Sequence, residues 1–205
     1  MKVILLNGSP KSKGCTYTAL KIIENELINE GIEVKFYEVG NKPVIGCTGC
    51  TACRKLGKCI HDDLVNEVSK EIESADGFIV GSPVHYAAAS GAATSFLDRL
   101  FYSTDKNQLR HKFGASIVSC RRGGASATFD QLNKYFTINE MPIVSSVYWN
   151  QIHGNTPEEV VQDLEGVRTM KVLARNMAYL IKCKEAAKNV PLPKLVPVER
   201  TNFIR

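Results

Sequence analysis

The chain opens on Val3–Leu6, four apolar residues stopped by Asn7-Gly8-Ser9-Pro10. From Thr16 to Asn29 it then sets Ala19, Leu20, Ile22, Ile23, Leu27 and Ile28 at helical spacing. A short unbroken apolar run, a turn and an amphipathic helix describe a strand buried on both faces, and such strands belong to parallel sheets. The unit recurs. Glu33–Val39 alternates as a second strand after Gly31, which stops the first helix. Gly77–Gly81 carries Phe-Ile-Val in its middle, and Gly114–Ser119 and Ile143–Val147 read as a fourth and a fifth strand. Helices are predicted around Leu64–Glu73, over Ser90–Phe101 and over Ala127–Phe136. Thr156-Pro157-Glu158-Glu159 supplies an N-cap, a proline in the first turn and acids beside it. Val160, Leu164, Val167, Met170, Leu173, Met177 and Leu180 then hold one face of a single last helix as far as Cys183.

Strands alternating with helices place the chain in the α/β class. A five-stranded parallel sheet is expected, covered by helices on both faces and ordered 2-1-3-4-5 once right-handed crossovers are imposed. Residues 1–190 read as one domain, without repeat or linker, large enough to bury its own core. Pro191, Pro193 and Pro197 forbid a regular helix beyond it, so residues 191–205 are expected to form an extended tail, laid on the domain or on a partner subunit.

In this topology the loops after the first, third and fourth strands emerge on one edge of the sheet. The first, Gly8–Thr16, offers the hydroxyls of Ser9, Ser12 and Thr16 and the free N–H groups of a helix start, which together suit a phosphate dianion. It is not a P-loop, because five residues rather than four separate its glycines and Cys15-Thr16 follows; the Gly-x-Gly-x-x-Gly dinucleotide fingerprint is also absent. A plain strand-to-helix turn remains the alternative. Gly81-Ser82-Pro83-Val84-His85-Tyr86 and Ser119-Cys120-Arg121-Arg122-Gly123-Gly124 add flat, glycine-rich and aromatic segments suited to a planar ring with polar edges. His85 reads either as a ring contact or as an ordinary loop histidine. Arg121 and Arg122 read either as a solvated pair or as charge offered to the ligand.

Cys47, Cys50, Cys53 and Cys59 form a C-x₂-C-x₂-C-x₅-C run. Two-residue gaps let successive thiolates point to one centre, as a [4Fe–4S] cluster requires; tetrahedral zinc and a metal-free loop of reduced thiols are the other readings. Cys120 and Cys183 read as buried thiols. Asp62-Asp63 is explained by capping of the helix that follows, Asp98-Arg99 by a structural pair. Tyr148–Gly154, with the only tryptophan, is expected to lack regular structure and to be a substrate wall, a subunit contact or core filling.

The formal net charge of +5 is spread without a basic block or interleaved aromatics, which excludes a nucleic-acid surface. No run approaches the roughly eighteen apolar residues of a membrane span, and the first apolar run is too short for a signal peptide. A cytoplasmic, reducing setting is expected. There, seven cysteines with four crowded together indicate metal or redox chemistry rather than a disulfide framework.

The motifs Gly8-Ser9-Pro10 with Gly14-Cys15-Thr16, Gly81-Ser82-Pro83-Val84 with Tyr86, and Phe96-Leu97-Asp98-Arg99 occur in that order. They resemble those of the NADPH-dependent FMN reductase and iron–sulfur flavoprotein families, over about residues 1–182. The resemblance implies a flavodoxin-like three-layer fold, bound FMN, NAD(P)H as co-substrate, a small-molecule electron acceptor and a homodimer or homotetramer. By it, Ser9, Lys11, Ser12, Gly14, Cys15 and Thr16 would hold the FMN phosphate. Pro83, Val84, His85 and Tyr86 would line the isoalloxazine, with Ser119, Cys120, Arg121, Arg122, Gly123 and Gly124 across from them. The cysteine spacing matches the compact motif of iron–sulfur flavoproteins. Cys15 stands where the family often has Asn, and would act through its N–H; His85 stands where it often has Tyr. FMN would carry the chemistry. The alternatives are an iron–sulfur flavoprotein or an electron carrier like flavodoxin, although such carriers are usually strongly acidic. A phosphate-responsive signalling domain would need acids where Asn7-Gly8 stands.

Overall fold

The computed structural model describes residues 1–197 together with Glu199 and Thr201. Strands β1 (Lys2–Asn7), β2 (Glu33–Glu38), β3 (Gly77–His85), β5 (Phe113–Cys120) and β6 (Gln151–His153) form a parallel sheet in the order β2-β1-β3-β5-β6. A two-residue strand β4 (Ala88–Ala89) pairs antiparallel with the end of β3. Without β4, the order is the expected 2-1-3-4-5.

Side chains alternate across the pleat and split the core into two layers. Val3 and Leu5 face helices α1 (Cys15–Asn29) and α8 (Leu164–Ala186), and Ala19, Leu20, Leu173 and Met177 fill that side. Ile4 and Leu6 face α3 (Leu64–Ser74), α4 (Gly91–Ser103) and α6 (Ala125–Thr137), packed through Val68, Phe96, Leu100 and Phe136. Short helices α2 (Cys53–Leu56), α5 (Lys106–Leu109) and α7 (Pro157–Val160) complete the chain. Residues 191–197 are exposed and carry neither helix nor strand; the rest of the expected tail, apart from Glu199 and Thr201, lies outside the described residues.

Several expectations need correction. Ile143–Val147 is not the fifth strand: Ile143 makes a single bridge to Gly114, and the chain then leaves the sheet. It rejoins at Asn150, whose side-chain amide donates to the Ser116 carbonyl at 3.1 Å while its own carbonyl accepts from the Val118 N–H. These bonds fill the ladder while Tyr148 and Trp149 are turned out, half-exposed, with ring centroids 4.6 Å apart. Part of the segment expected to be irregular is therefore the edge strand β6, and its tryptophan is not core filling. The expected single last helix is two. Asp163 caps α8 by accepting from the Gly166 N–H at 2.9 Å, and its second oxygen accepts from the His153 N–H of β6 at 2.7 Å. That double duty breaks the helix after Val160 and leaves Leu164 78% exposed. The third strand runs four residues further than expected, to His85. Cys183 is exposed rather than buried, whereas Cys120 is buried as expected.

Candidate functional site

Two groups of residues carry chemistry. The first lies at the carboxyl edge of the sheet. The Gly8–Gly14 loop is anchored by Gly8 N–H to the Gly81 carbonyl (2.8 Å), by Ser9 N–H to Asn7 Oδ1 (3.1 Å) and by Lys11 N–H to Ser9 Oγ (3.1 Å). It delivers the chain to α1, whose N-cap Gly14 makes no side-chain capping bond and whose first turn holds no acid. The opening N–H groups of α1 thus lack the side-chain cap that α3, α4 and α8 possess, as do those of α6 behind Gly124, and the helix dipole adds positive potential there. Lys11 and Ser12 are exposed beside them; Thr16 is buried, its hydroxyl 2.8 Å from Ser119 Oγ.

That Thr16–Ser119 bond ties the first loop to the end of β5. A second tie comes from Ser90, a residue not singled out from sequence for the site. Its hydroxyl donates to the Gly8 carbonyl at 2.6 Å, accepts from the Ala93 N–H and so caps α4, while its own N–H donates to Ser82 Oγ. The third tie is steric. Gly124 sits at φ +89°, and a Cβ there would lie 2.8 Å from Ala87 Cα, so the Ser119–Gly124 loop packs directly on the β3–β4 hairpin. At the tip of that hairpin Tyr86 and Ala87 both hold left-handed backbone (φ 52° and 58°), a strained arrangement for residues with side chains. Pro83, Val84, His85 and Tyr86 and the Ser119–Gly124 loop therefore do come together with the phosphate-type loop. Arg121 and Arg122 are exposed at the mouth, and Tyr86 is fully exposed. Cys120 Sγ lies 3.4 Å from His153 Nδ1, and burial pushes its thiol up from its ordinary value.

The second group is the cysteine segment, which flanks α4. Gly49 and Gly57 take left-handed φ (68° and 69°), and Thr51 joins them at 58°, folding the segment back on itself. Cys47, Cys50, Cys53 and Cys59 all line one small recess of about 20 Å³, together with Arg99, Tyr102 and Ser103 of α4. Burial, then the neighbouring Cys50, raises the Cys53 thiol above its ordinary value; an N–H bond pulls it back, and Cys47 and Cys59 raise it further. Among the described residues no group of three or more His, Cys, Asp or Glu side chains is arranged to hold a metal ion. Tetrahedral zinc and a [4Fe–4S] cluster both take four thiolates. Ser103 Oγ is buried without a hydrogen-bond partner.

Arg99 closes the segment. It is 1% exposed and spends every donor: Nε to Cys59 Sγ (3.3 Å), the two terminal nitrogens to Asp63 at 2.6 and 2.9 Å, and further bonds to the Ile45 and His61 carbonyls. The expected Asp98-Arg99 pair is thus absent. Asp98 accepts from the Tyr135 hydroxyl at 2.5 Å, on the other side of the helix turn. Asp63 does cap α3, through the Val65 N–H, but it also anchors Arg99. Burial works against the Asp63 carboxylate, yet the Arg99 and Val65 hydrogen bonds outweigh it and hold its pKa below the usual range. A depressed carboxylate contributes stability that is fully present above its unfolded pKa of about 3.9 and is lost as pH falls through the folded value. The melting temperature of the native chain is therefore expected to exceed that of Asp63→Asn by a constant margin between pH 5 and 8. That margin should shrink below about pH 4, and thermal melts across this range check it.

Among the described residues no helix is long and apolar enough to cross a membrane. Two iron–sulfur flavoproteins of Methanocaldococcus jannaschii are similar to this chain over nearly their whole length. One is 32% identical over 89% of this chain and 98% of its own; the other is 30% identical over 90% and 98%. Among solved structures, a flavodoxin from the domain Archaea aligns with a TM-score of 0.61 at 16% identity, covering 89% of this chain and 99% of that one, which shows the shared flavodoxin-like fold. The model of the NADPH-dependent FMN reductase family matches residues 1–156, a stretch that contains the Gly8–Thr16, Gly81–Tyr86 and Ser119–Gly124 segments and all four clustered cysteines. The chain belongs to the NADPH-dependent FMN reductase family, whose members are flavin-dependent oxidoreductases, and its relatives include iron–sulfur flavoproteins.

Proposed function

We propose that this chain is an FMN-dependent oxidoreductase that takes electrons from a reduced pyridine nucleotide and passes them through bound FMN to a small acceptor. The observation that carries the reading is the uncapped start of α1, on a loop tied to both ring-lining loops by Ser90, Thr16 and Gly124. The FMN phosphate would be held by the N–H groups of Cys15 and Thr16 with Ser9, Lys11, Ser12 and Gly14 around it. The ring would lie between Pro83, Val84, His85 and Tyr86 on one side and Ser119–Gly124 on the other. Bound FMN supplies hydride acceptance from the nicotinamide and one- or two-electron release. The chain's own part is to fix the ring's angle, to keep water off its inner face and to present Arg121 and Arg122 to a phosphorylated nucleotide. No side chain acts as a nucleophile.

A mouth bounded by two loops takes donor and acceptor in turn. Steady-state oxidation of NADPH or NADH, with ferricyanide or a quinone as acceptor, is expected to give the parallel reciprocal plots of a ping-pong scheme. Intersecting plots would remove the shared site, and no oxidation by FMN-loaded protein would favour an electron carrier like flavodoxin. Fully exposed Tyr86 and half-exposed Tyr148 and Trp149 provide apolar surface for a homodimer or homotetramer.

A second redox centre is favoured by a separate observation, the one recess shared by all four clustered cysteines. We infer that Cys47, Cys50, Cys53 and Cys59 hold a [4Fe–4S] cluster; the two relatives are named iron–sulfur flavoproteins, which supports an iron–sulfur centre of some kind. Such a cluster supplies single-electron transfer. The visible spectrum of anaerobically purified protein tests it: flavin bands on broad iron–sulfur absorption are expected, and flavin bands alone would sink it.

A further inference from the structure

Asn7 ends β1 fully buried, and a buried amide needs partners for both its oxygen and its nitrogen. It finds them on opposite sides. Its Oδ1 accepts from the Ser9 N–H at 3.1 Å, and its Nδ2 donates to Glu38 Oε1 at 3.2 Å. Glu38 stands opposite Asn7 in the β1–β2 ladder, at the end of β2. A backbone N–H can only donate and an ionised carboxylate can only accept, so the Asn7 amide fits between them one way round. The peptide joining Gly8 to Ser9 is thereby held at both poles, its N–H by Asn7 and its carbonyl by the Ser90 hydroxyl at 2.6 Å. The bonds continue: the Ser90 N–H donates to Ser82 Oγ at 3.0 Å, and the Ser82 hydroxyl donates to the Pro83 carbonyl at 2.9 Å. One run of hydrogen bonds thus crosses the carboxyl edge from β2 through β1 to β3, and members of such a run strengthen one another.

On charge alone Glu38 is out of place. It lies two hydrogen bonds from Ser9, on the loop proposed above to grip a phosphate dianion, and like charges repel. What it accepts explains its position. We propose that Glu38, acting through Asn7, is a positioning residue for the anion-binding loop: it fixes the Asn7 amide, which fixes the first loop peptide and so aims the N–H groups that follow at the phosphate. This rests on the FMN reading given above and adds to it a residue outside the loop. With no acceptor at position 38, nothing holds the Asn7 oxygen toward Ser9. Turned over, the amide would set Nδ2 against the Ser9 N–H, donor against donor. Glu38 is not a catalytic residue, because it acts on the ligand only through Asn7 and the loop.

The test titrates the full-length protein by fluorescence with FMN and, separately, with riboflavin, which lacks the phosphate. The ratio of the two affinities reads the grip on the phosphate apart from ring binding and from folding. Glu38→Gln and Glu38→Met remove the same charge, and only glutamine keeps an acceptor oxygen. In Glu38→Met the preference for FMN over riboflavin is expected to fall about tenfold, the scale of a buried donor left unpaired. In Glu38→Gln it is expected to match or exceed that of the wild type. Equal preferences in the two neutral variants, or a stronger one in Glu38→Met, would overturn the proposal. Should Glu38→Met fail to fold, Glu38→Lys decides by sign: added positive charge alone strengthens the preference for FMN, whereas loss of the acceptor weakens it. Wild-type protein that binds both flavins equally would defeat the phosphate reading instead, and that failure shows before any variant is made.

Discussion

Serine at any one of Cys47, Cys50, Cys53 or Cys59 is expected to strip the anaerobically reconstituted protein of its iron–sulfur absorption and reduce its iron to background, while the FMN bands remain. The four thiols line one recess and no other cysteine lines it, so no spare ligand can replace a lost one. The loops proposed to hold FMN are tied by different residues: Gly8, Gly81, Ser90, Thr16 and Ser119 join them without any contribution from the cysteine segment. Cys183→Ser, exposed on α8, is the matched control and is expected to keep both chromophores. Iron assay and visible spectra decide the matter. A Cys50→Ser protein with full iron would show that the segment is a loop of ordinary thiols.

Gly8→Val should be the most damaging single change to FMN binding that leaves every polar group in place. A Cβ at Gly8 would lie 2.7 Å from Ala93 Cβ and 2.9 Å from the Gly81 carbonyl oxygen. Neither neighbour is a flexible side-chain end, so the loop itself must move off α4 and β3. Overpacking of this kind costs about 1–3 kcal/mol. If that strain is relieved by displacing the loop, FMN affinity falls by roughly tenfold to a hundredfold. Gly91→Ala is the contrast, because a Cβ there meets nothing within 4 Å, and its FMN affinity is expected to be that of the native chain. Fluorescence titration of FMN against both variants, with circular dichroism to confirm folding, measures the difference. Equal affinities would mean that the Gly8–Thr16 loop does not grip the phosphate.

Both predictions concern residues visible in the sequence, and the reason they were visible is local. A buried parallel strand announces itself by an unbroken apolar run, so Val3–Leu6 and Phe78–Val80 could be placed without knowing their neighbours. The glycines and hydroxyls after them mark the turns, and the short cysteine spacing brings four thiols onto one segment. The sheet order then followed from connection rules that act on any right-handed crossover. The errors have an equally definite origin. Ile143–Val147 has good strand composition, but the edge of the sheet is completed by the Asn150 side chain, a contact with Ser116 that lies 34 residues away. The last helix keeps its apolar period through Leu164, yet Asp163 is claimed by the His153 N–H and ends the first turn. Periodicity reports which face a residue would bury. It cannot report that a distant backbone group will claim a polar side chain first.

The same division runs through the site. Local sequence determined that a flavodoxin-like sheet would form, that three glycine-bearing loops would reach one edge of it, and that four thiols would sit on one short segment; those outcomes depend on hydrophobic period, backbone freedom and spacing, all properties of neighbours in the chain. Tertiary structure alone decided that Ser90 would join the phosphate-type loop to α4, and that Arg99 would pair with Asp63 rather than Asp98 and donate to Cys59 Sγ. Hydrogen bonds reach only about 3 Å, and which groups come that close is known only once the helices have packed.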